Sequence, residues 1–263
     1  MLIENTPYGK EDKVLLAVKR LQLNEPPEGY YVAFSGGKDS CVVLDLCKRA
    51  KVKFDAHFNV TTVDPPEVIR FVHNSYPEVK FERPDMPMWK AVEAHKMLPT
   101  RTVRYCCQMF KERGGKGRTV VTGIRREESS RRAKRHMVEP CRGSKGKSLI
   151  HPILEWSTSE VWEYIHKFHV PYCSLYDEGL KRIGCVCCPF VNMKKKLEEK
   201  NRWPQIWENE WHKGARLAWK KRNEDGMKNF KDVESLMRWW MQEPKKDNDQ
   251  INLFGLMTDE TAL

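Results

Sequence analysis

Two groups of residues in this 263-residue chain have types and spacings that do chemistry. The first is Ser35-Gly36-Gly37-Lys38-Asp39-Ser40, set between two apolar runs. Adjacent glycines let a backbone turn tightly, and their missing side chains let amide N–H groups approach a phosphate. Ser35 and Ser40 add hydroxyl donors, Lys38 adds charge, and a helix opening here adds a favourable dipole. The stretch reads as an anion cradle, and its spacing is too short for the G-x-x-x-x-G-K-[ST] pattern. A bare Gly-Gly would read as an ordinary strand-to-helix turn; the full six residues after a buried strand favour the phosphate loop.

The second group is cysteine. Cys106-Cys107 is followed much later by Cys185-Val186-Cys187-Cys188, which contains a CxxC spacing. A CxxC pair brings two thiolates to one metal, and a distant pair completes four-thiolate ligation. Vicinal cysteines are awkward ligands for one zinc ion but reach different irons of a cubane. A [4Fe–4S] cluster is therefore favoured, with zinc or unligated thiols as the alternatives and Cys187 open as a ligand. Nine cysteines, an odd number, argue for metal or redox chemistry over a disulfide framework. Cys41, Cys47, Cys141 and Cys173 read as packing or surface thiols.

The elements that must position these groups follow from pattern. Val14, Leu15, Val18 and Leu21 repeat at helical spacing over 10–22. Tyr30–Phe34 is short, apolar and β-prone, and the apolar density of 41–47 suits a helix packed on a sheet. Further strands are expected at 54–60, 119–123 and 149–154. Asp64-Pro65-Pro66-Glu67 reads as a helix start with Asp64 as N-cap, 88–96 as a helix, and Ser157-Thr158-Ser159-Glu160 as a capping box opening a helix over 161–168. Strands alternating with helices imply a parallel sheet covered on both faces. Beyond Pro189 the sequence turns helical and carries Trp203, Trp207, Trp211, Trp219, Trp239 and Trp240, which read as packing a helical appendage onto the sheet. The expected division is 1–190 and 191–263.

Composition sets the environment. Forty per cent hydrophobic residues build a core and exclude a wholly disordered chain. No apolar run reaches the ~20 residues of a membrane span, and the start lacks the apolar stretch of a secretory signal, so a cytoplasmic protein with no membrane partner is expected. The formal charge is +11; residues 223–263 hold nine acids and five bases, so the body before them carries +15. Such a field attracts polyanions, although a solvated Lys-rich surface accounts for charge alone equally well.

Taken in order, the 35–40 loop, the Cys-Cys pair, Thr122-Gly123-Ile124-Arg125-Arg126-Glu127-Glu128-Ser129, His151-Pro152-Ile153-Leu154 with Trp156, Pro171-Tyr172, Tyr176-Asp177-Glu178-Gly179 and the CxxC resemble the phosphoadenosine phosphosulfate reductase family, a branch of the PP-loop ATP pyrophosphatases. The resemblance runs from residue 30 to about 190. It implies an α/β, adenine-nucleotide α-hydrolase-like parallel sheet with helices on both faces, plus the helical C-terminal appendage. It also implies that the backbone of Ser35, Gly36, Gly37 and Ser40 holds the pyrophosphate of ATP, with Lys38 beside it and Asp39 arranging the loop or a Mg²⁺ ion. Gly123 would border the nucleotide, and Arg125, Arg126, Arg131 and Arg132 would face its phosphates or a transferred anionic group. The family pattern places the cluster on Cys106, Cys107, Cys185 and Cys188.

Reductases of the family use a mobile C-terminal cysteine and tend to carry an altered glycine loop. Here no cysteine follows Cys188 and the loop is of the ATP type. The expected activity is therefore ATP-dependent sulfur transfer resembling DNA phosphorothioation, with a sulfur donor such as a cysteine desulfurase as partner and DNA ahead of RNA as acceptor. Alternatives are sulfonucleotide reduction, tRNA thiolation and non-catalytic nucleic-acid binding.

Overall fold

The computed structural model describes residues 1–7, 9–141, 146–227 and 229–241. A hairpin of β1 (Ile3–Thr6) and β2 (Gly9–Asp12) leads into α1 (Lys13–Leu23), where the Asp12 carboxylate accepts from the Val14 and Leu15 amides at 2.9 and 3.1 Å. Then come β3 (Tyr30–Phe34), α2 (Lys38–Ala50), β4 (Phe54–Asn59), α3 (Pro66–Ser75), β5 (Val79–Glu82) and α4 (Met88–His95). After a single π-helical turn at Cys107–Lys111 follow β6 (Thr119–Val121), the short α5 (Ser130–Ala133), β7 (Val138–Pro140), β8 (Ser148–Ile150) and α6 (Thr158–Phe168). The chain continues into α7 (Met193–Arg202), α8 (Pro204–Ile206), a π-helical stretch at Trp207–His212, α9 (Lys213–Glu224) and α10 (Val233–Met241).

Six strands form one sheet in the order β5-β4-β3-β6-β8-β7, parallel throughout except for β7 at one edge. Helices cover both faces. β3, at its centre, is the most apolar strand and is almost wholly buried, as a strand covered on both faces requires. The chain steps outward from β3 to β4 and β5, then crosses back to β6 on the other side of β3. Such a reversal opens a crevice at the carboxyl ends of the two central strands, the usual place for a ligand in an open α/β sheet.

The expected strands at 54–60, 119–123 and 149–154 are present but shorter, and β5, β7 and the hairpin were not foreseen. β5 and β7 are short and interrupt their apolar residues with charge, whereas β6 and β8, equally short, lie in apolar runs that mark them. The Ser157 box is formed on both sides: the Ser157 hydroxyl accepts from the Glu160 amide at 3.2 Å and the Glu160 carboxylate from the Ser157 amide at 2.7 Å. The proposed Asp64 cap is not formed. Pro65 occupies the cap position of α3, and Asp64 instead accepts the Thr61 amide at 2.7 Å, tightening the turn after β4.

The tryptophans do pack the C-terminal helices onto the sheet body. Trp203, Trp207, Trp211 and Trp240 are buried in one core continuous across residue 190. Trp211 Nε1 donates to the Val186 carbonyl at 3.0 Å and Trp240 Nε1 to the Pro99 carbonyl at 2.7 Å. A side chain at Gly214 would lie 2.9 Å from Val92 Cβ, so α9 sits directly on α4. The acidic positions from Glu243 onward lie outside the described residues. Among the described residues no helix is long and apolar enough to cross a membrane.

Candidate functional site

The 35–40 loop leaves the carboxyl end of β3 and opens α2, at the mouth of the crevice. Gly36 has φ +70°, and a Cβ there would lie 2.8 Å from Val68 Cγ1, so both conformation and space demand glycine. Gly37 is the N-cap of α2, and its amide donates to the Ser35 hydroxyl at 3.4 Å. The Ser40 hydroxyl donates to the Gly37 carbonyl at 2.7 Å and accepts from the Ser35 amide and hydroxyl, both at 3.2 Å. The serine hydroxyls thus brace the loop. The sequence suggests these hydroxyls as donors to an anion and the Ser35 and Gly37 amides among its backbone holders; in the structure both hydroxyls and both of those amides are engaged within the loop. The amides of Gly36, Asp39 and Ser40 have no acceptor among the described residues. Open amides at the positive end of a 13-residue helix form a strong anion site.

Asp39 is the hub behind the loop. Its Oδ2 pairs with Lys38 Nζ at 3.0 Å and its Oδ1 with Arg125 Nε at 2.7 Å. Arg125 is only 2% exposed; its other nitrogens donate to the Trp156 carbonyl and Thr158 Oγ1, both at 3.2 Å, and to Glu127 at 3.3 Å. Its guanidinium is therefore aimed at Asp39 and the start of α6. Lys38 is buried as well, 5.8 Å from the Tyr176 ring centroid. Gly123, just beyond β6, touches the same hub: a Cβ would lie 2.9 Å from the Asp39 carbonyl carbon and oxygen. Thr122 is held in turn by His151 Nδ1 at 2.7 Å, whose imidazole is kept below its ordinary pKa first by burial and then by the Arg135 charge.

Arg126, Arg131 and Arg132 follow β6 on the two short helical turns at 126–128 and 130–133, outside the side-chain hydrogen-bond network of this buried hub. Arg126 and Arg131 are exposed, and neither side chain has a hydrogen bond or ion pair among the described residues. Arg132 pairs with Glu128 one turn back. Tyr176, quoted in the sequence only as part of a motif, also reaches the loop: its hydroxyl accepts the Lys38 amide at 3.0 Å. Thr158 and Glu127 support Arg125 and were not singled out either. The capping pattern at 157–160 marked where α6 begins, and nothing local marked where it would dock.

The two cysteine groups face each other beside the carboxyl end of β4, the neighbour of β3. Cys106 and Cys107 sit at the π-helical turn; Cys185 Sγ donates to Thr61 Oγ1 at 3.4 Å, and the Val186 amide to the Val63 carbonyl at 2.8 Å. The Cys106 thiol is raised well above its ordinary range by its hydrogen bond with Cys107, by burial, and by the charges of Cys107, Cys185 and Cys188. Cys107 is lowered by the Cys106 hydrogen bond and by Arg104 and Lys111. Lys111 also hydrogen-bonds Cys185 and is raised chiefly by the charge of that sulfur. Cys187, with φ +55°, turns the other way: its sulfur donates to the Lys196 carbonyl at 3.5 Å and its amide to Glu199 at 2.6 Å. Among the described residues no three Cys, His, Asp or Glu groups close on a single ion.

Residues 29–191 match the phosphoadenosine phosphosulfate reductase domain. Two uncharacterised proteins of Methanocaldococcus jannaschii are 30% and 31% identical over 73% and 68% of this chain, which spans 42% and 46% of their lengths. An adenosine 5'-phosphosulfate reductase of Oceanobacillus iheyensis is 30% identical over 59% of this chain and 69% of its own. The crystal structure of phosphoadenylyl-sulfate reductase from Candida auris, a phosphate complex, shares the fold, with a TM-score of 0.51 at 23% identity over 64% of this chain and 87% of that one. By that domain match, which covers more than half of its residues, the chain belongs to the phosphoadenosine phosphosulfate reductase family of the PP-loop superfamily.

Proposed function

We propose that this protein is a cytoplasmic ATP pyrophosphatase that activates an oxygen of nucleic acid for replacement by sulfur, acting on DNA as in phosphorothioation, beside a [4Fe–4S] cluster. The observation that carries the reading is the open-amide loop at the sheet's switch point, with four cysteines grouped at the end of the adjacent strand. Gly36, Asp39 and Ser40 amides would hold the β- and γ-phosphates where charge grows as the α–β bond breaks, and donors already in place need no reorganisation at that moment. The acceptor oxygen attacks the α-phosphorus, pyrophosphate leaves into the loop, and a sulfur nucleophile then displaces AMP. Asp39, Lys38 and Arg125 keep the loop in shape; Arg126 and Arg131 are the guanidinium groups open to a phosphate.

The residues fit the groups this chemistry needs. Asp39 is the loop's one carboxylate and both its oxygens are paired, so Mg²⁺ would enter on the nucleotide's phosphates, keeping several waters as this ion prefers. A zinc ion with bonds of about 2.3 Å needs its donors converging on one point, whereas a cubane spreads four thiolates over four irons. Cys106 lies within reach of the charges of Cys107, Cys185 and Cys188, and a vicinal pair reaches two irons of a cubane more readily than it chelates one zinc, so these four would hold the cluster. Arg104 and Lys111, which already face the cysteine sulfurs, would offset its negative charge. When bound, it supplies iron-bound sulfide and one-electron chemistry.

Sulfonucleotide reduction is the second reading, favoured by the likeness to the Oceanobacillus iheyensis reductase. Anaerobically purified protein given ATP, Mg²⁺, DNA and a cysteine desulfurase with cysteine should release pyrophosphate and AMP. Sulfite release from a sulfonucleotide with thioredoxin, and inertness toward ATP, would overturn the first reading in favour of the second.

A further inference from the structure

Helix α7 is inside out. A surface helix normally buries its apolar residues and exposes its charges. Here the buried positions are Lys196 and Glu199, at 5% and 8% exposure, while Met193 and Leu197 are 45% and 43% exposed. The inward charges have partners: Lys196 Nζ donates to the Trp240 carbonyl at 2.8 Å and lies 4.4 Å from that indole's centroid, and Glu199 accepts the Cys187 amide. The helix is therefore held through Lys196 to Trp240 of α10 and through Glu199 and the Lys196 carbonyl to Cys187, which leaves its apolar side outward.

Met193 and Leu197, four apart on α7, share its exposed face as a short apolar ridge, and Phe190, 45% exposed, precedes it in the turn three residues before the helix and two after Cys188. The ridge is held in place: Arg101 donates to the Pro189 and Phe190 carbonyls at 3.3 and 3.4 Å, and Arg104, which also bonds Cys107, lies 4.8 Å from the Phe190 ring centroid. Cations accompany it: Arg104 lies on the Phe190 ring, Lys194 stands on α7 beside Met193, and Lys181 and Arg182 precede Cys185. Lys181, Arg182 and Lys194 are exposed, and none has an ion pair among the described residues.

We propose that this ridge is the DNA-docking surface of the protein, where an unstacked base lies on Phe190 with Met193 and Leu197 as an apolar wedge, and neighbouring phosphates meet Lys181, Arg182 and Lys194. The inference rests on the DNA-directed reading above and adds to it the place of contact. Charge complementarity selects the partner: a phosphodiester chain supplies anions at close intervals, and each base offers a flat face to an aromatic ring. Apolar side chains at the same place unstack base steps, as wedges do in DNA-bending proteins. The ridge puts that strand next to the cysteine centre.

The test uses the full chain, purified anaerobically, with a labelled single-stranded DNA oligonucleotide carrying 2-aminopurine, the matching duplex, and RNA of the same sequence. Phe190→Ala should weaken single-strand binding by roughly 5- to 100-fold and abolish the 2-aminopurine quench, leaving the salt slope unchanged because no charge is lost. Lys194→Glu should lower that slope by about one contact. Met193→Ser with Leu197→Ser supplies a second probe of the ridge, and unchanged urea midpoints establish that the variants are folded. Wild-type DNA binding that all these variants share equally would overturn this inference and leave the DNA-directed reading standing; failure of the wild type to bind any DNA would overturn both. Tighter binding of RNA, or a dimer that the ridge variants convert to monomer, would assign the surface to another occupant and overturn it as well.

Discussion

Replacing Arg125 with alanine tests whether the loop is held from behind by a buried ion pair. Arg125 is 2% exposed and its guanidinium serves Asp39, Trp156, Thr158 and Glu127 at 2.7–3.3 Å. Removing one partner of a buried pair costs about 3–5 kcal/mol, because the survivor is left desolvated and unpaired. Asp39 keeps Lys38 at 3.0 Å, which places the expected loss near the lower end, about 3 kcal/mol. With a urea dependence of about 3 kcal/mol per molar, the unfolding midpoint should fall by about 1 M. Arg125→Lys retains the charge but cannot span four acceptors with one ammonium, so it should fall between wild type and alanine; it also serves if the alanine variant does not accumulate. A double-mutant cycle with Asp39→Asn should show about 1–3 kcal/mol of coupling. ATP-dependent pyrophosphate release should drop in every member of the cycle. A midpoint within about 0.2 M of wild type, or single effects that simply add, would refute the buried anchor.

Other expectations follow from the same geometry. Gly123→Ala places a methyl 2.9 Å from the Asp39 carbonyl; it should cost about 1–3 kcal/mol in urea unfolding and reduce the thermal shift produced by ATP, since the loop moves with Asp39. Burial works to raise the Glu160 carboxyl, yet hydrogen bonds from Lys13 and the Ser157 amide bring it down to about 2. The stability it contributes, on the order of 3 kcal/mol, is complete above its unfolded value and is lost as pH falls toward 2; Glu160→Gln should flatten the acid limb of a stability–pH curve between about pH 4.5 and 2. Cys188→Ser should lower iron and sulfide per chain in anaerobically purified protein, while Cys187→Ser should retain both. The reverse pattern would exchange their roles.

The glycine loop was legible because its grammar is contiguous: an apolar strand, two glycines and a helix start within a dozen residues, each demanded by local backbone geometry. The same holds for the Ser157 capping box, whose two hydrogen bonds join residues three apart. Asp64 was misread because an Asp-Pro-Pro start fits a cap and a tight turn equally well, and the packing after β4 chose the turn. β5 and β7 lack the apolar runs that made the equally short β6 and β8 visible: Val79–Glu82 alternates with charge and Val138–Pro140 holds one apolar residue before Glu139.

What the amino-acid order determined by itself was which short segments could turn, cap, bind anion or carry thiolates. Tertiary structure alone decided that Arg125 meets Asp39 across 86 positions, that Tyr176 reaches the loop across 138, that Cys187 faces away from its neighbours, and that α7 shows its apolar side to solvent. Periodicity states which face of an element wants burial, but it does not say which element will be alongside. That follows from the order of strands in the sheet and from the helices that order brings together.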